Sequence, residues 1–143
     1  MSVDSVLVDV TIDATADVAW RFLTIERGTW WPDMRFEAFI GSPLVETWIE
    51  GGQQASATGE ITRCEKPRLL AFRWNEPGWE HPLDVVIRLV AGGPSTIVTI
   101  TESGFVRART APSLPDEHAE GWRYHLMRWK RASEGDARDA DAQ

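Results

Sequence analysis

Hydrophobic and polar positions alternate at the start of the chain and then change period. In "VLVDVTI", residues 6–12, the valines and the isoleucine fall largely on one side of an extended chain, which predicts a half-buried strand. In "DATADVAWRFL", residues 13–23, the apolar positions follow a helical period, and Thr15 is placed to cap the helix. Gly28 and Pro32 then bound a second brief helical turn that carries the adjacent indoles of "WW". The pattern therefore predicts one strand followed by two short helices.

The rest of the chain reads as strands followed by one long helix. Alternating or β-branched segments predict six further strands, at 36–40, 45–49, 56–65, 69–74, 84–90 and 95–103. A linker follows, and residues 116–135 then predict a long helix that begins with acids, carries bases later and stops at Gly135. Residues 1–135 are predicted to form a single domain. Residues 136–143 are charged, small and unperiodic, which predicts a flexible acidic tail.

The short connections between the strands favour a largely antiparallel sheet. One face of such a sheet needs a cover, and the long C-terminal helix is the one predicted element large enough to provide it. A twisted sheet that curls around a single helix leaves space wherever the helix does not touch it. The sequence thus predicts an α+β fold with a candidate ligand cavity between sheet and helix.

Charge and composition narrow the classes of partner. Fifteen basic and 22 acidic residues give a net charge of −7, which disfavours nucleic acid and anionic membranes as general partners. Cys64 is the only cysteine, so no intramolecular disulfide forms. The three histidines lack the spacing of metal ligands, so the sequence predicts no metal site. The glycine pairs are typical of hairpin turns and do not open a helix, so no cofactor is predicted either. With no visible secretory signal or spanning segment, we expect a cytoplasmic protein.

Five segments in order resemble the START-like (SRPBCC) superfamily, and within it the branch named after the activator of the heat-shock-protein-90 ATPase. They are "VAWRFLT" (18–24), "WW" (30–31), "GEITRCEKPRLLAFRW" (59–74), "STIVTITESGF" (95–105) and "GWRYHLMRWKRASEG" (121–135). The resemblance implies a helix-grip fold, in which a curved antiparallel sheet wraps around a long C-terminal helix. It also implies a mostly apolar cavity between the two, since members bind lipids, sterols, polyketides or other small molecules.

Aromatic residues at inward-facing positions are the candidate ligand contacts. Of the two adjacent indoles, Trp30 is expected to plug the core and Trp31 to face the cavity. The predicted lining is Trp31, Trp48, Phe72, Trp74, Ile100, Trp122, His125 and Trp129. The leading hypothesis is therefore binding of a small, mostly apolar molecule, lipid-like or polyketide-like, by a monomer or weak homodimer.

Two other functions remain open from the sequence. Glu102 continues the inward face of its strand, and His125 lies on the inward face of the long helix. A carboxyl and an imidazole in an apolar pocket form a candidate acid–base pair, as a polyketide cyclase-like or hydrolase-like enzyme would need. The family resemblance also implies a third hypothesis, a co-chaperone-like interaction module.

Overall fold

The computed structural model describes residues 3–142, with side chains up to residue 137. The strands are β1 (Ser5–Ile12), β2 (Met34–Phe36), β3 (Pro43–Glu50), β4 (Gln53–Glu65), β5 (Leu69–Asn75), β6 (Leu83–Gly92) and β7 (Ser95–Ser103). The helices are α1 (Ala16–Leu23), α2 (Phe105–Ala108) and α3 (Leu114–Ala142), with a 3-10 turn at Arg27–Thr29. In the described part of the chain, no helix is both long enough and apolar enough to span a membrane.

The strands form one antiparallel sheet in the order β1-β7-β6-β5-β4-β3-β2. β2 to β7 are sequential neighbours, and β1 closes the far edge by pairing with β7. The sheet curves around α3, which packs against β1 and α1. Trp122, Leu126 and Trp129 of α3 are all buried in the shared core. The predicted α+β helix-grip architecture, with two short helical elements after the first strand, is confirmed.

Local signals place α1 as the sequence predicts. The Thr15 hydroxyl accepts a hydrogen bond from the backbone N–H of Val18 at 3.3 Å, as an N-cap does. Asp17 lies in the first turn, where the helix dipole favours a negative charge. Phe22 and Leu23 of this helix are buried. α1 thus packs an apolar face onto α3 and contacts the 3-10 turn that directly precedes the two adjacent indoles.

Two predicted boundaries are wrong. Residues 37–40 form turns instead of continuing a strand, and Phe39 and Ile40 are exposed. The chain leaves the extended conformation because the backbone N–H of Gly41 donates to the carbonyl of Ile61 on β4. α3 also continues past Gly135 to Ala142, since one glycine costs a helix only about 1 kcal/mol. The domain limit at residue 135 and the flexibility of residues 136–143 stay predictions.

Gly59 marks a close approach between β4 and β5. It pairs with Trp74, and a Cβ at this position would lie 1.7 Å from the backbone oxygen of Arg73. No side chain fits that distance without moving the backbone. A register shift between Ile61 and Arg63 follows on the same strand. Such irregularities bend a strand.

Candidate functional site

The two adjacent indoles are both buried but have different neighbours. Trp30 stacks on Trp129 with 6.0 Å between ring centroids, and its Nε1 donates to the carbonyl of Phe22 at 2.6 Å. Trp31 instead stacks on the imidazole of His125 at 4.2 Å, and its Nε1 donates to Glu46 Oε2 at 2.9 Å. Trp30 is therefore a core residue, as predicted. Trp31 does not line the cavity itself, but it contacts two residues that do, Glu46 and His125.

A cavity of about 280 Å³ lies between the sheet and α3. The sheet side of its lining consists of Glu46, Trp48, Glu50, Ala57, Trp74 and Glu76. The helix side consists of Leu114, Glu117, His118, Gly121, Trp122 and His125. Ligand pockets are commonly about 300 to 1,000 Å³, so this volume suits a compact molecule of one or two rings.

One stripe of α3 supplies the chemistry of the helix side. His118, Gly121, Trp122 and His125 recur at intervals of three and four residues, which places them on one helix face. Gly121 lies between the two histidines, and a Cβ there would meet nothing within 4 Å. The stripe therefore presents two imidazoles and one indole to the cavity, with open space at the glycine between them.

Glu102 organises the first polar cluster. It is fully buried, and its carboxylate accepts hydrogen bonds from Trp74 Nε1 at 2.8 Å and from Trp122 Nε1 at 2.9 Å. His118 Nδ1 lies 2.8 Å from the same carboxylate. Burial lowers the pKa of His118, but the hydrogen bond and negative charge of Glu102 outweigh it and raise this pKa above its usual value. This cluster fixes two cavity indoles and one imidazole.

Glu46 and His125 form a second, looser pair. Glu46 Oε2 lies 3.9 Å from His125 Nε2, which exceeds a hydrogen-bond distance. Burial raises the pKa of Glu46 to about 7, although the hydrogen bond from Trp31 opposes the shift. Burial and the charge of Arg128 lower the pKa of His125 to about 4. His125 is therefore neutral at neutral pH, and Glu46 changes charge there.

The structure changes the predicted acid–base pairing. The sequence paired Glu102 with His125, whereas Glu102 contacts His118, and the carboxylate nearest to His125 is that of Glu46. His118 and His125 lie seven residues apart, so both occupy the inward face of α3. The sequence alone does not show which helical turn lies opposite the end of β7.

Four of the eight predicted ligand contacts lie at the cavity and four lie behind it. Trp48, Trp74, Trp122 and His125 line it. Trp31, Phe72, Ile100 and Trp129 belong to the surrounding core. The sequence reasoning missed the acidic lining and His118. A signal was present in β3, because Glu46, Trp48 and Glu50 alternate onto one strand face. Ligand binding by any of these residues stays a prediction.

A long helix held by a curved antiparallel sheet, with a cavity between them, defines the helix-grip class of START-like proteins. The family model described as "Activator of Hsp90 ATPase homolog 1-like protein" matches residues 13–134, and the chain belongs to this family. Its fold supports a ligand-binding or a cyclase-like role. No curated protein matches the sequence.

Solved structures share the fold at low sequence identity. CalU16 from Micromonospora echinospora has a TM-score of 0.71 and 25% identity, over 92% of this chain and 75% of that chain. DynU16, a protein of the dynemicin biosynthetic locus, has a TM-score of 0.75 and 23% identity, over 92% of this chain and 48% of that one. The Aha1 dimer from Colwellia psychrerythraea has a TM-score of 0.74 and 16% identity, over 92% and 97%.

Proposed function

We propose that this protein binds a compact organic molecule with a mostly apolar body in the cavity between its sheet and α3. The observation that carries the proposal is an open volume of about 280 Å³ walled by three indoles and bordered by two carboxyl–imidazole pairs. The indoles supply apolar contact area, and the polar groups orient a bound molecule. The volume favours a polyketide-like ring system over an extended lipid.

Gly121 offers a direct test because it faces open space at the cavity. Replacing Gly121 with leucine adds a side chain at the cavity, where a Cβ would meet no neighbouring atom beyond its own helix backbone within 4 Å. Gly135 is a matched control, since it is also a helical glycine with open space around it but does not line the cavity. Both changes raise helix propensity, so neither variant is expected to unfold.

The measurement is an NMR titration of the protein's indole N–H signals with tryptophol, a neutral bicyclic probe. We expect saturable shifts in the signals of Trp48, Trp74 and Trp122 for the native chain and for Gly135→Leu. The Gly121→Leu variant should show no saturable shift. Absence of binding to the native chain would overturn the proposal, as would unchanged binding to Gly121→Leu.

Acid–base catalysis is a second candidate function, and the raised pKa of the Glu46 carboxyl favours it. A carboxyl group with a pKa of about 7 at a cavity wall suits a general base. Neutral His125 lies beside it as a hydrogen-bonding partner for a bound substrate. These groups would replace the pair of His125 and Glu102 that the sequence suggested for a cyclase or hydrolase.

Hydrolysis of 4-nitrophenyl acetate tests the catalytic proposal. Since Glu46 must be deprotonated to accept a proton from water, we expect the rate to rise with pH through about 7. Glu46→Gln should abolish this rise, whereas Glu60→Gln, on an exposed part of β4, should retain it. A rate that is the same in Glu46→Gln and in the native chain would refute a role for this carboxyl.

A further inference from the structure

The charged residues of the cavity lining have one dominant sign. Glu46, Glu50, Glu76 and Glu117 line it, and no lysine or arginine of the described residues does. His118 is the lining group that favours a positive charge, and Glu102 directly compensates it at 2.8 Å. The lining therefore presents a surplus of negative charge when its carboxyls are ionised.

Among the described lining residues, His118 is the group that opposes the repulsion between these carboxyls, and the carboxylate of Glu102 lies directly against it. Burial raises the pKa of Glu76, and the nearby charges of Glu50 and Glu102 raise it further, although His118 opposes them. The pKa of Glu46 is raised by burial, and Asp33 and Glu76 add to that shift. A positive charge inside the cavity would favour the ionised form of both groups.

No lysine or arginine of the described residues lies over an indole face of the cavity. Within the described residues, arginine side chains lie over the rings of Phe22, Phe36 and Tyr124, none of which lines the cavity. The rings of Trp74 and Trp122 stack on each other with 5.7 Å between their centroids. Trp48 lies on β3 between the carboxyls of Glu46 and Glu50. Indole faces attract cations most strongly when a cation is partly removed from water.

We propose that the cavity selects a ligand that carries a protonated amine on a flat, apolar body. The inference rests on the proposed binding function and adds the charge of the ligand to it. The apolar body lies against Trp74 and Trp122, and the ammonium group lies toward Trp48 and the carboxyls of Glu46, Glu50 and Glu76. A carboxylate or phosphate ligand is excluded by the same surplus of negative charge.

Three indole derivatives of similar size share one ring system but differ in charge, so comparing them tests the effect of the ligand's charge alone. Tryptamine is a cation, tryptophol is neutral, and indole-3-propionate is an anion at about pH 8. Isothermal titration calorimetry at low salt should show tryptamine binding about tenfold more tightly than tryptophol, with indole-3-propionate the weakest. Added salt should reduce the difference, because the carboxyls at the rim are partly open to solvent.

Two variants that each remove one carboxyl test whether the preference for the cation comes from the cavity. Glu76→Gln removes one carboxyl of the cavity, and Glu120→Gln removes an exposed carboxyl of α3 that does not line it. The preference for tryptamine over tryptophol should fall about threefold or more in Glu76→Gln and persist in Glu120→Gln.

The outcomes distinguish this inference from the proposed function. If tryptophol binds as tightly as tryptamine, the cavity still binds ligands, and the selection of a cation is wrong. Equal loss of preference in both variants would also overturn it, because the effect would then come from the net charge of the protein. If none of the three compounds binds, both proposals fail.

Discussion

Glu46 should make the folded protein less stable as the pH rises. Its side chain is 17% exposed, and its pKa is raised from 4.5 to about 7 in the folded state, mainly by burial. The folded state therefore holds a proton that the unfolded chain has already released. By linkage, the stability associated with this group is fully present below about pH 4.5 and is lost as the pH rises through 7.

The size of the effect follows from the shift. The difference between 4.5 and about 7, at about 1.36 kcal/mol per pH unit, gives a loss of about 3 kcal/mol once the pH is well above 7. Glu46→Gln cannot ionise, and its amide oxygen can still accept the hydrogen bond from Trp31. The variant should therefore gain up to about 3 kcal/mol relative to the native chain between about pH 4.5 and pH 8.5.

Urea denaturation at a series of pH values measures this difference. Burial also lowers the pKa of His125 to about 4, so its contribution to stability is lost as the pH falls from 6.5 through 4. That contribution is common to both proteins and largely cancels when they are compared. Glu50→Gln, at the exposed end of the same strand, is the control and should follow the native curve. Parallel pH curves for Glu46→Gln and the native chain would refute the assignment of a buried, proton-holding carboxyl.

Three further substitutions test the packing that builds the site, each by chemical denaturation. Gly59→Ala should destabilise the fold by about 3 kcal/mol, because its Cβ would overlap the backbone oxygen of Arg73; a loss below about 0.5 kcal/mol would contradict this close approach. Trp122→Phe keeps a ring in the core but removes one N–H from Glu102, so a loss of about 1–3 kcal/mol is expected, and an unchanged midpoint would show that this hydrogen bond is dispensable. Thr15→Ala should cost about 1 kcal/mol through loss of the helix cap, whereas Thr15→Ser should retain most of the stability.

Much of the fold could be predicted because local patterns and tertiary packing agree. Leu70, Phe72 and Trp74 alternate along β5 and are buried, and the periodic face of α3 is the face that enters the core. Disagreement arises where a distant contact decides the backbone path. Residues 36–40 are mostly apolar, as a strand would be, but the backbone of Gly41 bonds to Ile61 and the chain leaves the sheet after Phe36.

The candidate site was less predictable because it depends on how α3 is positioned along the sheet. Periodicity correctly placed Glu102 and His125 on inward faces, but it does not fix their distance. Packing of α3 brings His118 to Glu102 and leaves His125 two turns further along, beside Glu46. The acidic lining was missed for a related reason, since glutamates that alternate on a strand can face either solvent or a cavity.

The two carboxyl–imidazole pairs differ in how completely their hydrogen bonds are satisfied, and this difference suits them to different tasks. Glu102 is enclosed and accepts hydrogen bonds from two indoles beside His118, so removing its side chain would leave buried donors without a partner. That pair therefore holds the indole walls in place. Glu46 has one close donor and lies 3.9 Å from His125, whose Nδ1 is buried without a hydrogen-bond partner among the described residues. A ligand donor at Glu46 would use acceptor capacity that its single close donor leaves open, so binding should draw its specificity from Glu46 and the neighbouring His125, and its shape from the indoles that Glu102 fixes.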